Sequence, residues 1–246
     1  MAVRGESRNL LTAGGEIVSL EAFTGRAQAY TKARPSYPDE AIKYICELIP
    51  PDSIIADIGA GTGKFTELLA RCGFEMYAIE PNADMREQLE ITLASFTNTT
   101  IIDGTAEATT LANRSIDVIT CAQALNRVDI NAFYAECQRI GKVNPLVISL
   151  YNYERDKTHS ILRYNKSTSA FYRNPAVRDF PNPIYFSRDM WLLYYLSMEG
   201  VPQEFEAEYN EFIAELNENF RRDSVDGLLL VDFVTSVYSE QIGGIL

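Results

Sequence analysis

Short apolar runs alternate with amphipathic stretches through the first part of this chain. The runs predict buried strands at 53–58, 75–80, about 99–103, 116–121 and 145–151. The stretches predict helices at about 21–34, 39–48, 63–72, 82–95 and 130–141. Strands that alternate with helices in this way predict an α/β fold built on a doubly wound, parallel sheet.

The pattern changes after Tyr151. Residues 152–226, rich at first in Tyr, Phe and Asn and interrupted by Pro175, Pro181 and Pro183, predict a lid or cap inserted after strand five. The segment 228–238 predicts one last strand. We expect 1–20 to be a flexible tail and 21–246 a single domain, with its core at about 39–151.

The most informative stretch is a glycine-rich turn after the first predicted strand. Three glycines, Gly59, Gly61 and Gly63, occupy every second position after Asp57-Ile58. Glycine allows a sharp turn and lets a ligand approach the backbone closely. In an open α/β sheet the ligand crevice lies at the carboxyl ends of the strands, where this turn is expected. The sequence therefore predicts a nucleotide-like cofactor at this edge of the sheet.

Two phosphate-binding motifs fail here at defined positions. A Gly-x-Gly-x-x-Gly motif beginning at Gly59 would need glycine where Lys64 stands. A Gly-x-x-x-x-Gly-Lys-Ser/Thr motif would need glycine at Ile58 and a hydroxyl at Phe65. The second predicted strand, however, ends in Glu80, which follows Gly63 by 17 residues. An acid at that point can accept both ribose hydroxyls of an adenosine, so a nucleoside cofactor is predicted.

Two stretches resemble the class I S-adenosylmethionine-dependent methyltransferases, most closely their small-molecule type 11 group. They are Asp57–Thr66 and Glu80-Pro81-Asn82-x-x-Met85, and similar features occur at 23–38, 104–107 and 115–124. The resemblance covers about residues 21–156. It implies a Rossmann-like, mostly parallel seven-stranded sheet with helices on both faces and a late antiparallel strand beside strand five. It also implies S-adenosyl-L-methionine as the cofactor and S-adenosyl-L-homocysteine as the product.

The resemblance further implies roles around the glycine turn. Asp57 and Gly59 would hold the cofactor ammonium, although Asp57 could also be a strand-end carboxylate satisfied within the protein. Glu80 would take the ribose hydroxyls, and Met85 would pack either against the adenosine or in the core. The implied cofactor-binding residues are Tyr30, Arg34, Asp57, Gly59, Gly61, Gly63, Glu80, Pro81, Met85, Thr105, Ala106, Glu107 and Gln123.

The adenine end of the implied site departs from many relatives. Thr105 stands where they often carry an aspartate, and its hydroxyl makes a weaker contact with the adenine amine. The Ala106 backbone can still serve the ring, while Glu107 either takes over that contact or faces solvent. Gln123 is implied beside the sulfonium. Arg34 is implied to bind the cofactor carboxylate with its guanidinium fork, the alternative being a surface salt bridge.

A second departure follows the fourth strand, where relatives often carry a His-Trp pair and this chain has Asn126-Arg127. Three interpretations remain open: loop residues without a role, a different substrate whose carboxylate or phenolate binds Arg127, or loss of methyl transfer. Tyr151 and Asn152 are expected on the substrate side. The only histidine, His159, lies in the predicted lid, where a lone histidine is more often incidental than catalytic. No catalytic residue is assigned.

Bulk properties exclude several classes of partner and site. The net charge of −12 and the scattered basic residues argue against a nucleic-acid partner. No apolar run approaches the 18 residues that a membrane span requires, and charges interrupt the start of the chain, so a cytoplasmic protein without a membrane partner is expected. The four cysteines lack metal-site spacing, and we expect reduced, buried thiols and no metal. Monomer and homodimer both remain open.

Three hypotheses of function follow. The leading one is methyl transfer from S-adenosylmethionine to a small-molecule metabolite or natural product by in-line displacement, at an oxygen, nitrogen or carbon. The alternative is a cofactor-binding protein that no longer transfers methyl, uses the bound sulfonium in another reaction or acts as a binding subunit. The third is a nucleic-acid methyltransferase, which salt-sensitive RNA binding would support.

Overall fold

One mixed sheet dominates the computed structural model, which describes residues 9–11, 17–19, 24–155, 166–202 and 204–243. Within these residues, seven strands form the sheet in the order β5-β4-β3-β6-β7-β9-β8. They are β3 (Ile54–Ile58), β4 (Glu75–Ile79), β5 (Thr99–Ile102), β6 (Ile116–Ala122), β7 (Gly141–Glu154), β8 (Ala176–Phe186) and β9 (Leu229–Gln241). Two further strands, β1 (Asn9–Leu11) and β2 (Ile17–Ser19), pair antiparallel within the segment predicted as a tail.

Strands β3 to β7 are parallel, and β9 runs antiparallel to both β7 and β8. The helices are α1 (Ala27–Ala33), α2 (Asp39–Leu48), α3 (Lys64–Arg71), α4 (Ala83–Leu93), α5 (Ile130–Ile140), α6 (described over 166–171), α7 (Arg188–Leu196) and α8 (Tyr209–Asp223). The predicted α/β fold is confirmed, including the late antiparallel strand beside the fifth parallel one.

Helices cover both faces of the sheet because successive strand residues point to opposite sides. On one face, Ile45 of α2 and Leu69 of α3 bury against Ile55 of β3. On the other, Phe133 of α5 packs in the same cluster as Ala56, the next residue of β3. The near-continuous apolar strands of the sequence are therefore explained by burial on two sides.

Part of the segment predicted as a lid or cap belongs to the sheet. Ala176–Phe186, inside it, is not a cap element but edge strand β8, and Pro181 and Pro183 lie within that strand rather than breaking it. An edge strand pairs on one side only, so a residue whose missing N–H faces away from the sheet loses no ladder hydrogen bond. Proline residues two apart share this orientation, so both fit one edge strand. Sequence reasoning took them for breaks because it could not identify the edge of the sheet.

Helices α7 and α8 pack over one end of β8 and β9. Trp191 and Tyr194 of α7 and Phe220 of α8 share an apolar cluster with Phe233 of β9 and Ala33 of α1. This cluster attaches α1 to the body of the protein and so fixes the position of the α1 side chains near the glycine turn.

Membrane spans and metal clusters can be assessed for the described part of the chain. No helix there combines the length and apolar character needed to cross a bilayer. No group of three or more histidine, cysteine or carboxylate side chains is arranged there to hold a metal ion.

The cysteines differ from the expectation of buried thiols. Cys121 and Cys137 are buried, as expected, but Cys46 is half-buried and Cys72 is exposed. All four are free thiols in the structure.

Candidate functional site

The glycine turn connects β3 to α3 at the carboxyl edge of the sheet, and its three glycines all have positive φ: 67° at Gly59, 59° at Gly61 and 86° at Gly63. At Gly59 a Cβ atom would lie 2.8 Å from the Cβ atom of Ala124, and at Gly63 it would lie 2.8 Å from Cδ1 of Leu89. Only glycine combines this conformation with such close packing. The turn is therefore fixed by its sequence, with Gly59 held against the loop after β6.

Glu80 lies immediately after β4 and turns its carboxylate toward the glycine turn. Its Oε2 atom accepts the backbone N–H of Gly61 at 2.8 Å, and its Oε1 atom accepts that of Asn82 at 2.9 Å. Burial raises the pKa of Glu80, and the two N–H groups oppose that shift. Because an ionised carboxylate can accept about four hydrogen bonds, two positions remain for donors on a ligand.

Asp57 lies behind the turn and has only 1% of its surface exposed to solvent. It does not line the pocket described below. Thr66 of α3 donates a hydrogen bond to its Oδ2 atom at 2.6 Å, and Thr120 of β6 donates one to Oδ1 at 2.8 Å. Burial raises the pKa of Asp57 to about 6 despite these two bonds. The carboxylate thus ties β3, β6 and α3 together beneath the turn.

An open-mouthed pocket lies above the turn, with a volume of about 780 Å³ including its mouth. Its walls come from the turn, the ends of β4 and β6, the loop after β5, and α1. It is lined by Tyr30, Ile58, Gly59, Gly61, Glu80, Pro81, Asn82, Met85, Thr105, Ala106, Glu107, Ala122, Gln123, Ala124, Arg127 and Val128.

Most of the predicted cofactor residues therefore meet around one pocket, although the sequence separates them widely. Arg34, Asp57 and Gly63 do not line it, and neither do Asn126, Tyr151 and Asn152 among the predicted substrate residues. Sequence reasoning missed the lining residues Ile58, Asn82, Ala122, Ala124 and Val128. Asn82 had a detectable signal, since it stands three residues before Met85, whose backbone N–H its side chain accepts at 3.0 Å as the N-cap of α4.

Glu107 contributes a buried acceptor to the pocket. Its Oε1 atom accepts the backbone N–H of Asp129 at 2.9 Å, next to the start of α5. Its Oε2 atom is buried and has no hydrogen-bond partner among the described residues. A buried carboxylate oxygen without a partner is costly, so this atom is suited to a donor on a bound ligand. Of the two alternatives left open by the sequence, the geometry favours the one in which Glu107 meets the ligand.

Gln123 occupies a strained position at the end of β6. Its φ is 60°, a left-handed conformation that residues other than glycine rarely adopt. Its backbone N–H donates to the Leu150 carbonyl at 2.9 Å, which holds the strand end against β7. Such strain is concentrated at functional sites, and here it accompanies a residue in the pocket wall.

Three arginines, two that flank α1 and one in the loop after β6, contact residues 197–199 just after α7, and we call this arrangement the α7 clasp. Arg26 donates to the Met198 carbonyl, and Arg34 donates to the Ser197 carbonyl at 3.3 Å. Arg127, in the pocket wall, forms an ion pair with Glu199 at 3.0 Å. The clasp therefore joins both ends of α1 to the loop after β6, on two sides of the pocket.

Arg34 is held between aromatic rings. Its guanidinium carbon lies 5.1 Å from the ring centre of Tyr30 and 5.4 Å from that of Tyr194. Its Nε atom is buried without a hydrogen-bond partner among the described residues. The residue thus supports Tyr30, which does line the pocket.

The other predicted substrate residues, Asn126, Tyr151 and Asn152, do not line the pocket. Asn126 lies in the 3₁₀ turn after β6, with its Oδ1 atom buried and without a partner in the described part of the chain. Tyr151 is buried in the core against Tyr238. Asn152 donates to the Ser36 carbonyl at 3.1 Å and accepts the Thr235 hydroxyl at 2.5 Å. His159 lies outside the described residues.

Comparison with known proteins agrees with this architecture. Residues 56–148 match a family model described as a methyltransferase domain. The chain is 36% identical over 119 residues to an uncharacterized methyltransferase of Mycobacterium bovis, a match that covers 48% of this chain and 46% of that protein. The chain thus spans about half the length of the first curated relatives it matches.

Two solved structures show the same fold at low identity. A type II methyltransferase structure from Anaeromyxobacter dehalogenans superposes with a TM-score of 0.63 at 18% identity, over 86% of this chain and 99% of that chain. A phosphoethanolamine N-methyltransferase from Haemonchus contortus, in complex with phosphomonomethylethanolamine and S-adenosylhomocysteine, superposes with a TM-score of 0.50 at 11% identity, over 89% of this chain and 57% of that chain. Residues 56–148 of this chain therefore resemble a methyltransferase domain, and the chain shares its fold with solved methyltransferase structures.

Proposed function

We propose that this chain binds S-adenosyl-L-methionine in the pocket above the glycine turn and transfers its methyl group to a small-molecule acceptor. The observation that carries the proposal is the Glu80 carboxylate, which lines the pocket, is anchored by the backbone of the turn and retains two acceptor positions. Two neighbouring hydroxyls of a ribose match two such positions. When bound, the cofactor supplies an electrophilic methyl group on a sulfonium and leaves as S-adenosylhomocysteine.

The other polar groups of the pocket fit the same cofactor. The buried Oε2 atom of Glu107 is suited to the exocyclic amine of adenine, for which Thr105 is a weaker partner. Met85 and Pro81 supply apolar surface beside Glu80. Gly61 brings backbone to the pocket without a Cβ atom, which leaves room for the amino-acid end of the cofactor, and Gly59 packs against Ala124 in the pocket wall. Asp57, fixed directly below, adds negative charge under that end.

The chain's contribution to the reaction is orientation and the exclusion of water. Transfer from a sulfonium is an in-line displacement, and holding the acceptor atom about 3–3.5 Å from the methyl carbon can supply much of the rate. Tyr30 and the α7 clasp, which attaches α1 to the loop after β6, close the pocket on the α1 side. A general base is needed only if the acceptor arrives protonated, which is consistent with Asn126 standing where relatives often have histidine.

Arg127 favours an acceptor with an anionic oxygen. It is the only cationic side chain that lines the pocket within the described residues. Its partner Glu199 is substantially exposed, with 42% of its side chain accessible. Water screens an ion pair whose carboxylate is exposed and so weakens it, and a carboxylate or phenolate on the acceptor can therefore replace Glu199 at little cost. The net negative charge of the chain argues against a polyanionic nucleic-acid substrate. We also propose that the protein acts in the cytoplasm.

A screen for product release tests this proposal. The purified protein is incubated with S-adenosylmethionine and a metabolite panel rich in carboxylates and phenols, and S-adenosylhomocysteine is measured by mass spectrometry. We expect turnover with at least one anionic acceptor. If the protein binds the cofactor but releases no product with any member, the cofactor-binding alternative without methyl transfer gains support. The double variant Asn126→His/Arg127→Trp then tests whether those two positions are the cause.

A further inference from the structure

Cys46 and Cys72 form a pair of neighbouring thiols outside the pocket. Cys46 is in α2, Cys72 directly follows α3, and their Sγ atoms are 2.8 Å apart. Neither residue lines the pocket. The other two cysteines of the chain, Cys121 and Cys137, are buried in the core on the opposite face of the sheet. The chain therefore has one accessible dithiol, and it lies on the α2–α3 side.

We propose that Cys46 and Cys72 are a redox modification site that closes to an intramolecular disulfide in the presence of a low-molecular-weight disulfide such as glutathione disulfide. A covalent S–S bond is about 2.05 Å long, so the two sulfurs need to approach by less than about 1 Å. The helices that carry them are already fixed side by side, because Ile45 of α2 and Leu69 of α3 bury in one apolar cluster. Closure therefore requires side-chain rotation rather than rearrangement of the fold.

The surroundings of the two sulfurs set the order of the reaction. Cys72 is exposed, so a dissolved disulfide reaches it first. The Cys46 thiol donates a hydrogen bond to the Cys72 sulfur, so the two sulfurs are already in contact. Burial, helped by the neighbouring Cys72, raises the pKa of Cys46 to about 12. Cys72 is therefore the attacking thiol and Cys46 the resolving one.

The chemistry balances in two exchange steps. The Cys72 thiolate attacks one sulfur of glutathione disulfide, a mixed disulfide forms on Cys72, and one glutathione leaves as a thiolate that takes up the released proton. Cys46 then loses its proton and attacks Cys72 Sγ, and the second glutathione leaves and takes that proton. Two protein thiols are oxidised, and one glutathione disulfide is reduced to two thiols.

The disulfide would close a loop of the chain that contains the glycine turn. The two cysteines are 26 residues apart in sequence, and β3 and the glycine turn lie between them. Cross-linking this loop restricts the unfolded chain, and for a protein of this size we expect the melting temperature to rise by roughly 5–10 °C. Oxidation would thus stabilise the two helices that flank the turn.

The full-length protein is titrated with glutathione redox buffers and followed by intact mass, peptide mapping and thermal unfolding. We expect wild type to lose the mass of two hydrogen atoms, to link Cys46 with Cys72, to melt at the higher temperature, and to return on reduction. Cys46→Ser should stop at one glutathione on Cys72, and Cys72→Ser should stay unmodified. Glu80→Ala, which loses the pocket carboxylate and its bond to the Gly61 backbone, should still link Cys46 with Cys72, because α2 and α3 hold the two cysteines; this separates the proposal from the proposed function.

Three results would overturn the proposal. The first is a wild-type protein that remains fully reduced in the most oxidising buffer. The second is a glutathione adduct on Cys72 that does not resolve while Cys46 is present. The third is a disulfide that involves Cys121 or Cys137 in the folded protein.

Discussion

Glu80 and Gly61 lie on consecutive connections of the sheet and are joined by a hydrogen bond of 2.8 Å from the Gly61 backbone N–H to Oε2 of Glu80. The bond links the turn after β3 to the end of β4. It fixes the carboxylate before any ligand arrives, and the backbone conformation of Gly61 in turn depends on the carboxylate. A preorganised acceptor of this kind binds hydroxyls without a further loss of side-chain entropy.

Gly59→Ala is expected to damage the turn itself. The residue has a φ of 67°, and an added methyl group would lie 2.8 Å from the Cβ atom of Ala124. We expect the free energy of unfolding to fall by about 1–3 kcal/mol, through backbone strain and overpacking. Chemical denaturation measures the change.

The double variant Gly59→Ala/Ala124→Gly serves as the matched control for that prediction. It removes the clash and keeps the unfavourable φ, so it should recover part of the lost stability but not all of it. Full recovery would show that the positive φ at Gly59 contributes nothing to the loss of stability. No recovery would show that the contact with Ala124 contributes nothing to it.

The raised pKa of Asp57 predicts that the free energy of unfolding depends on pH. Its pKa is about 6 in the folded protein, against an ordinary value of 3.8. The folded state therefore holds this proton more tightly than the unfolded state does. The resulting stabilisation is complete at low pH and is lost as the pH rises through about 6, a change of roughly 3 kcal/mol.

The variant Asp57→Asn removes this titration. The difference in free energy of unfolding between wild type and Asp57→Asn should move against wild type as the pH increases from about 4 to about 7. Urea unfolding at several pH values measures it. A difference that is constant with pH, or one that moves in favour of wild type, would contradict the raised pKa.

Glu107→Gln tests the buried acceptor at the adenine end. The amide can keep the hydrogen bond from Asp129 but places an NH₂ group where Oε2 had no protein partner. We expect S-adenosylhomocysteine to bind about 10–100-fold more weakly, because a charged hydrogen bond is lost. Calorimetry with S-inosylhomocysteine, which lacks the exocyclic amine, provides the comparison. If wild type binds both ligands equally, Glu107 does not recognise the amine.

Glu199→Gln should remove the carboxylate that competes with an anionic acceptor for Arg127. Removing the carboxylate that pairs with Arg127 is expected to tighten the binding of anionic acceptors several-fold, with little change in stability because Glu199 is exposed to water. Binding of a carboxylate panel to the protein loaded with S-adenosylhomocysteine measures this. Arg127→Gln is the reciprocal variant and should abolish the preference for anions; a preference that survives would place anion recognition elsewhere.

Local patterns predicted the framework of the fold well. The apolar strands, the glycine turn and the strand-end acid are features of neighbouring residues, and the structure has them in the expected positions. The edge strand Ala176–Phe186 was missed because its proline residues resemble breaks until the sheet edge is known. The α7 clasp could not be predicted, since Arg26 and Met198 meet only through the packing of α1 against α7.

The residues of the candidate site were likewise predictable from the sequence only in part. Residues near the turn and at strand ends line the pocket because parallel strands bring their carboxyl ends to one edge. Tyr151 was expected on the substrate side but lies in the core, since position along a strand does not reveal which face a long strand with a register shift presents. Glu107 was left open by the sequence because its orientation depends on the start of α5.

Thermal unfolding with S-adenosylhomocysteine tests most directly whether the pocket is a cofactor site. At a hundred times its dissociation constant the ligand should add about 2.7 kcal/mol, a rise in melting temperature of roughly 5–11 °C. Glu75→Ala, which removes an exposed acid at the opposite end of β4, should respond like wild type, whereas Glu80→Ala should show no rise. A wild-type protein that does not respond to S-adenosylhomocysteine or S-adenosylmethionine, or a rise of equal size in Glu80→Ala, would contradict the assignment of this pocket.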